Sequence, residues 1–370
     1  MSINEDLKKL YKENLSIIKK LSSELKDDFD GPLLMYCWDE NFNDANYKIL
    51  FIGQEHTNTC WFANDDIEDP LKWYETFCLA KNYNSTFWLA VKQINRTLNG
   101  NGSHKPNFLW TNVSKYATAT GRPVGFEKHN QITNQFGFNI LAKEIEIIKP
   151  DAIIFLSGNN YDEWIKIQFN NTISFDKKIN DDIPVEDLSI VKLTSGKPIL
   201  PIHSYRTHHP TPLSTQKKWY LLNVISLSIM GVDFYEILKK LNTDFNKLQN
   251  VKNENINIGN DFGNKEWTLK LEISEWKNFG IGFQFEENGF CSFFYGIFND
   301  KNIQNKNTMD QINTIHENGE RFSDLWPYWN WYEQKSWNKK TFEEIQNGEF
   351  IIKIQQIIND IIEKTKHLDM

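Results

Sequence analysis

The stretch "YKILFIGQEHT" (residues 47–57) changes character halfway along. "YKILFIG" is an apolar run of strand length, and its terminal glycine is followed at once by amide, carboxylate and imidazole side chains. A strand that is apolar on both faces is covered on both faces, which is the habit of parallel sheets. Three further runs read the same way: "NFLWTNV" (107–113), "DAIIFLSG" (151–158) and "KPILPIH" (197–203). Helical patterns lie between or after them. "NILAKEIEIIK" precedes Pro150, "NNYDEWIKIQF" follows the third run, and residues 214–241 follow the fourth. This alternation predicts a three-layer α/β/α fold around a central, mostly parallel, four-stranded sheet. Ligands of such sheets bind beyond the carboxyl ends of the strands, so the residues just past each run are the ones to examine.

Outward from this core, residues 2–27 open with Ser2 and Glu5 at capping-box spacing and continue with leucines at helical intervals, predicting an amphipathic helix. Residues 246–265 are polar, rich in Asn and Gly, and read as a linker. Beyond it "EWTLKLEISEW", "FGIGFQFEE" and "FCSFFYGIF" suggest antiparallel strands. "DLWPYWNWYEQKSW" is dense in tryptophan and reads as core, and "EFIIKIQQIINDIIEK" closes as a helix. The expected organisation is a first domain over 1–245, the linker, and an aromatic-rich α+β domain over 266–370.

The chain has 370 residues and a net charge of -8, which argues against indiscriminate coating of nucleic acid. The charge is uneven: from Val251 onward there are 13 basic and 19 acidic residues, whereas residues 195–219 carry Lys197, Arg206, Lys217 and Lys218 and no acid. The four cysteines, Cys37, Cys60, Cys78 and Cys291, form no C-x-x-C pair, which suits neither a zinc site nor a disulfide framework. With no signal-like or membrane-length apolar run, the expectation is a soluble, cytoplasmic protein.

The candidate site assembles from three strand ends. Glu55 and His56 follow the first run, Asn112 ends the second, and "THHPTPLSTQKKW" (207–219) follows the fourth with His208 and His209. A carboxylate facing an imidazole across a cleft can orient water on one side and stabilise a departing anion on the other.

These residues also carry a resemblance. "ILFIGQEHT" resembles the first motif of the uracil-DNA glycosylase superfamily, G-Q-D-P-Y-H in its best-known members, and "HHPTPLS" resembles its second, H-P-S-P-L-S. "FLWTNVSKY" is similar to the strand whose Asn reads the flipped base. The motifs keep the family's order over roughly residues 47–241. The resemblance implies a DNA glycosylase with DNA as partner; no lysine stands out as a Schiff-base nucleophile, so a monofunctional enzyme is expected, with no cofactor or metal. Some members hold an iron–sulfur cluster through a cysteine just after the Asn strand, where this chain has Tyr116.

Carried over residue by residue, Glu55 is the water-positioning carboxylate and His209 the hydrogen-bond donor to the base. Asn112 is the base reader. Phe62 is the aromatic on which the base stacks, with Trp61 as its rival. Leu213 is the wedge that fills the gap left by the base. Arg206, His208, Lys217, Lys218 and the helix end capped by Ser214 would hold phosphates. His56 is either a second acid–base group or a loop residue. Thr57 stands where the uracil-specific enzymes keep a Tyr that blocks C5 substituents, so the gate reads as open.

The whole arrangement resembles anti-phage glycosylases acting on hypermodified DNA, and implies excision of a hydroxymethylated or glucosylated cytosine. The alternatives are a uracil or mismatch repair glycosylase and a catalytically silent DNA-binding module. The C-terminal domain is expected to serve gating, self-association or a protein partner.

Overall fold

A computed structural model describes residues 2–25, 29–55, 66–77, 84–100, 106–118, 124–196, 200–211, 215–252, 256, 258, 267–287, 289–299, 306–313 and 325–370. The described chain is mixed α/β and divides into two compact units. One comprises Met1–Asn95 and Asn101–Ser214, the other Arg96–Gly100 and Thr215–Met370. The sequence reading carried the first domain to residue 245. In this division the helices Thr215–Ile229 and Phe234–Phe245 group with the second unit.

The first unit is built on a six-stranded sheet, not the four-stranded one expected. Its strands are β1 (Ile49–Gly53), β2 (Leu109–Asn112), β3 (Ala152–Phe155), β4 (Ile173–Lys178), β5 (Leu188–Leu193) and β6 (His203–Thr207), in the order β2-β1-β3-β6-β5-β4. The pairs β1–β2, β1–β3 and β3–β6 are parallel, while β5 pairs antiparallel with both β6 and β4. The physical reason β4 and β5 escape the apolar-run criterion lies in their position. Exposed and half-exposed residues interrupt both at this end of the sheet, β4 being buried at Ile173 and Phe175 and β5 at Leu188, Ser189 and Val191, whereas β1, β2 and β3 are buried at every position.

The fourth expected strand is displaced. Its described strand begins at His203, since Pro201 cannot donate to a ladder, and residues 197–199 of the expected run lie outside the described residues. The N-terminal pattern also resolves into two helices, Ile3–Glu13 and Leu15–Leu25. They are broken at Asn14, whose side chain turns back to the Leu10 carbonyl. The Ser2–Glu5 capping box forms as read.

Crossover helices connect the parallel strands, since a parallel pair cannot be closed by a hairpin. Helix Leu141–Ile148 ends where Lys149 takes a left-handed conformation (φ 49°) ahead of Pro150, and the chain enters β3 directly.

The second unit contains a four-stranded antiparallel sheet of β7 (Thr268–Glu272), β8 (Gly280–Glu287), β9 (Cys291–Phe298) and β10 (Tyr328–Trp331), ordered β10-β9-β8-β7. The tryptophan-rich segment supplies β10 and the core residue Trp337. The Trp337 ring meets Phe285, Phe293 and Phe350 at centroid distances of 4.9–5.0 Å. The closing helix runs Glu349–Thr365.

Candidate functional site

Parallel pairing brings the carboxyl ends of β1, β2, β3 and β6 to one rim, and backbone hydrogen bonds continue past the strands to hold those ends flush. Val113 N–H donates to the Gly53 carbonyl (3.0 Å), Ser114 N–H to Gln54 (3.0 Å), Leu156 N–H to Ile52 (2.8 Å) and Gly158 N–H to Thr207 (2.9 Å). The Gln54 amide crosses to the Ser157 carbonyl at 2.6 Å. The expected residues Glu55, Asn112, His208 and His209 all leave this rim.

Glu55 follows β1 by two residues and is half-buried. Its carboxylate is held at both oxygens: Oε2 accepts the Val124 N–H at 2.8 Å and Oε1 accepts the Tyr161 hydroxyl at 2.9 Å. Burial raises the Glu55 pKa, and these two donors pull against that rise.

Asn112 closes β2 opposite Gly53 and is 1% exposed. Its Oδ1 lies over the Gly53 backbone, 2.5 Å from where a β-carbon would stand, and the Phe87 ring lies 3.3 Å from the same point. Its Nδ2 is buried with no protein acceptor among the described residues. A buried amide donor left open is costly, and such groups call for an explanation, a ligand being one.

His209 sits past β6, its ring stacked against Phe87 (centroids 6.0 Å, 21° between planes). Its Nδ1 accepts the Thr211 N–H at 3.3 Å, which assigns the proton of the neutral ring to Nε2. Burial lowers the His209 pKa, so the neutral, Nε2-donating form is favoured. Gly158 backs this turn: a β-carbon there would stand 3.6 Å from the His209 nitrogen.

The neighbouring His208 has a different partner. Its Nε2 lies 2.7 Å from Asp187 Oδ1, and Thr207 Oγ1 and His208 N–H both donate to the Asp187 carbonyl.

The basic residues depart from expectation. Arg206 does not face solvent. It is 2% exposed, its Nε is 2.9 Å from Asp162 Oδ1, Nη1 donates to the Glu186 carbonyl at 2.7 Å, and the guanidinium lies over the Phe175 ring. The reason is its place in β6, an interior strand whose side chains are buried from Ser204 to Thr207, so a cation there must find a carboxylate inside. Lys218, in helix Thr215–Ile229 of the second unit, is 7% exposed. Its amine lies 4.1 Å above the Trp219 ring, and burial lowers its pKa. Lys217 is exposed. His56, Thr57, Trp61, Phe62, Leu213 and Ser214 lie outside the described residues.

The residues that sequence reasoning missed are Tyr161, Phe87, Val124 and Asp187. Tyr161 was within reach, because "GNNYDEW" follows β3 directly and the same rim rule applies. Phe87 begins a helix far from any strand end, Val124 contributes only its backbone, and Asp187 carries no local signal.

A groove of about 540 Å³ in the second unit is lined by Tyr295, Trp331, Tyr332, Glu333, Lys353 and Asp360 among others. Its Lys353 is tied to Glu344 and its Asp360 to Lys364. Comparison of the chain with family models, with curated proteins and with solved structures finds no match in any of the three.

Proposed function

We propose that this protein is a monofunctional DNA glycosylase with a uracil-DNA glycosylase-like first domain, which hydrolyses the bond between a flipped-out pyrimidine and its sugar. The observation that carries the reading is the convergence at one rim of a gripped carboxylate, a buried amide with an open donor, and an imidazole held as a neutral Nε2–H donor.

In the reaction the C1′–N1 bond breaks and its electron pair leaves with the base. His209 Nε2–H donates to the pyrimidine O2 as negative charge gathers there. Glu55 stabilises the cationic sugar and orients water. That water forms the new bond at C1′ and releases a proton toward the carboxylate, leaving an abasic site. Asn112 meets the polar edge of the base. Its amide can present a donor or an acceptor, so it serves cytosine as well as uracil.

The preferred target is a cytosine modified at C5, in defence against phage, on the ground that Thr57 replaces the bulkier Tyr of the resembling family. The test is alkaline cleavage at abasic sites in matched DNAs carrying uracil, cytosine, hydroxymethylcytosine or its glucosylated form. Breaks confined to the modified-cytosine DNAs, reduced about 100-fold or more by Glu55→Gln, are expected. Breaks in uracil DNA alone would reassign the protein to repair. Tight DNA binding with no breaks in any substrate would make it a binding module.

A further inference from the structure

Of the two donors on Glu55, one is a backbone amide and the other a side chain that evolution or an experimenter can remove. Tyr161 ends the short turn Asn159–Tyr161 beyond β3. Its ring is packed at 4.5 Å against Trp164, so its place does not depend on the carboxylate it reaches. Asp162, the next residue, is fixed to Arg206 of β6, the strand that leads to His208 and His209. Tyr161 is thus anchored from both sides, with its hydroxyl 2.9 Å from Glu55 Oε1.

Burial, and then the Glu55 charge, raise the Tyr161 pKa, so the hydroxyl keeps its proton and can only donate toward the carboxylate. A donor of that kind favours the ionised carboxylate and fixes which lone pairs remain for water. Among the described residues, Tyr161 is the titratable side chain bonded to Glu55, the other donor being the Val124 amide.

We infer that Tyr161 is a positioning residue, which holds the Glu55 carboxylate ionised and turned toward the attacking water. The inference rests on the glycosylase reading for its catalytic meaning, whereas the Tyr161–Glu55 link can be measured without any substrate.

The test uses full-length protein carrying Tyr161→Phe, a change that keeps the ring against Trp164. The Glu55 carboxyl is titrated by NMR with carbon-13 at the glutamate δ position, its signal identified by its loss in Glu55→Gln. The single-turnover rate of base release is followed against pH on the DNA that yields abasic sites. In Tyr161→Phe, Glu55 is expected to titrate at higher pH than in the parent, and the acidic limb of the rate profile is expected to move the same way. The plateau rate is expected to fall about 10- to 100-fold, with DNA affinity unchanged.

An unmoved Glu55 titration overturns the inference, and so does a moved titration with an unmoved acidic limb. Absence of abasic product from the parent protein on every DNA is a different result. It removes the glycosylase reading, while the NMR titration still decides whether Tyr161 governs Glu55.

Discussion

At the scale of single residues, the site depends on one missing side chain. Gly53 is the floor on which Asn112 and Phe87 rest, and a methyl group there would stand 2.5 Å from Asn112 Oδ1 and 3.3 Å from the Phe87 ring. No real β-carbon tolerates the first distance, so the amide must swing away from its buried position. On the proposed glycosylase reading, Gly53→Ala is therefore expected to lower base-release activity by about 10-fold or more, the scale of a site group displaced by an ångström. Its unfolding temperature should fall as well, since overpacking a buried site costs about 1–3 kcal/mol. Melting and single-turnover rates on one preparation check this. Full activity in Gly53→Ala would mean that Asn112 does not act from the place it occupies.

At the scale of elements, what the sequence made legible follows from how each strand is covered. The runs that became β1, β2 and β3 are buried on both faces and announce themselves without any periodicity. The edge strand β4 and its neighbour β5 carry "ISFDKK" and "LSIVKL", whose polar positions merge into loop composition. Arg206 was misjudged for a related reason. In sequence it stands among the lysines of a basic stretch, and only the sheet order reveals that β6 is interior. Its ion pair with Asp162 joins β6 to the start of helix Asp162–Gln168. Burial raises the Asp162 pKa to about 6 even though Arg206 pulls it down. Arg206→Met leaves that carboxylate without its partner, which should cost about 2–4 kcal/mol of unfolding free energy, somewhat less than a fully buried pair because Asp162 retains some exposure. The sign with pH follows from the raised pKa. Protonation of Asp162 in the folded state stabilises it, fully so below the unfolded carboxyl value near 4, and that contribution is lost as pH rises through about 6. Urea unfolding of Arg206→Met is therefore expected to show a larger deficit at pH 8 than at pH 5. An equal deficit at both would show that the loss is one of packing rather than charge.

At the scale of the whole molecule, electrostatics limits how the protein could hold DNA. The chain carries a net charge of -8, and its acidic excess is concentrated beyond residue 250. Of the three basic residues assigned to phosphates in the stretch around the histidine turn, Arg206 is internal and Lys218 is buried against Trp219, leaving Lys217 exposed. Each phosphate neutralised contributes about -0.9 to the slope of log affinity against log salt. With few exposed cations at the histidine turn and a repulsive net charge, the slope should be shallow, no steeper than about -3. On the proposed reading, affinity would then come mainly from uncharged contacts with the flipped base and the distorted strand, and the protein would bind unmodified duplex weakly at any salt. Fluorescence anisotropy with a duplex bearing the preferred base, read from 50 to 200 mM salt (roughly the range over which phosphate-rich interfaces lose most of their affinity), measures the slope directly. A value near -6 would require basic residues beyond these three, and would move the DNA grip to other parts of the chain. A shallow slope, together with strong discrimination between modified and plain cytosine, is what a pocket-dominated glycosylase requires.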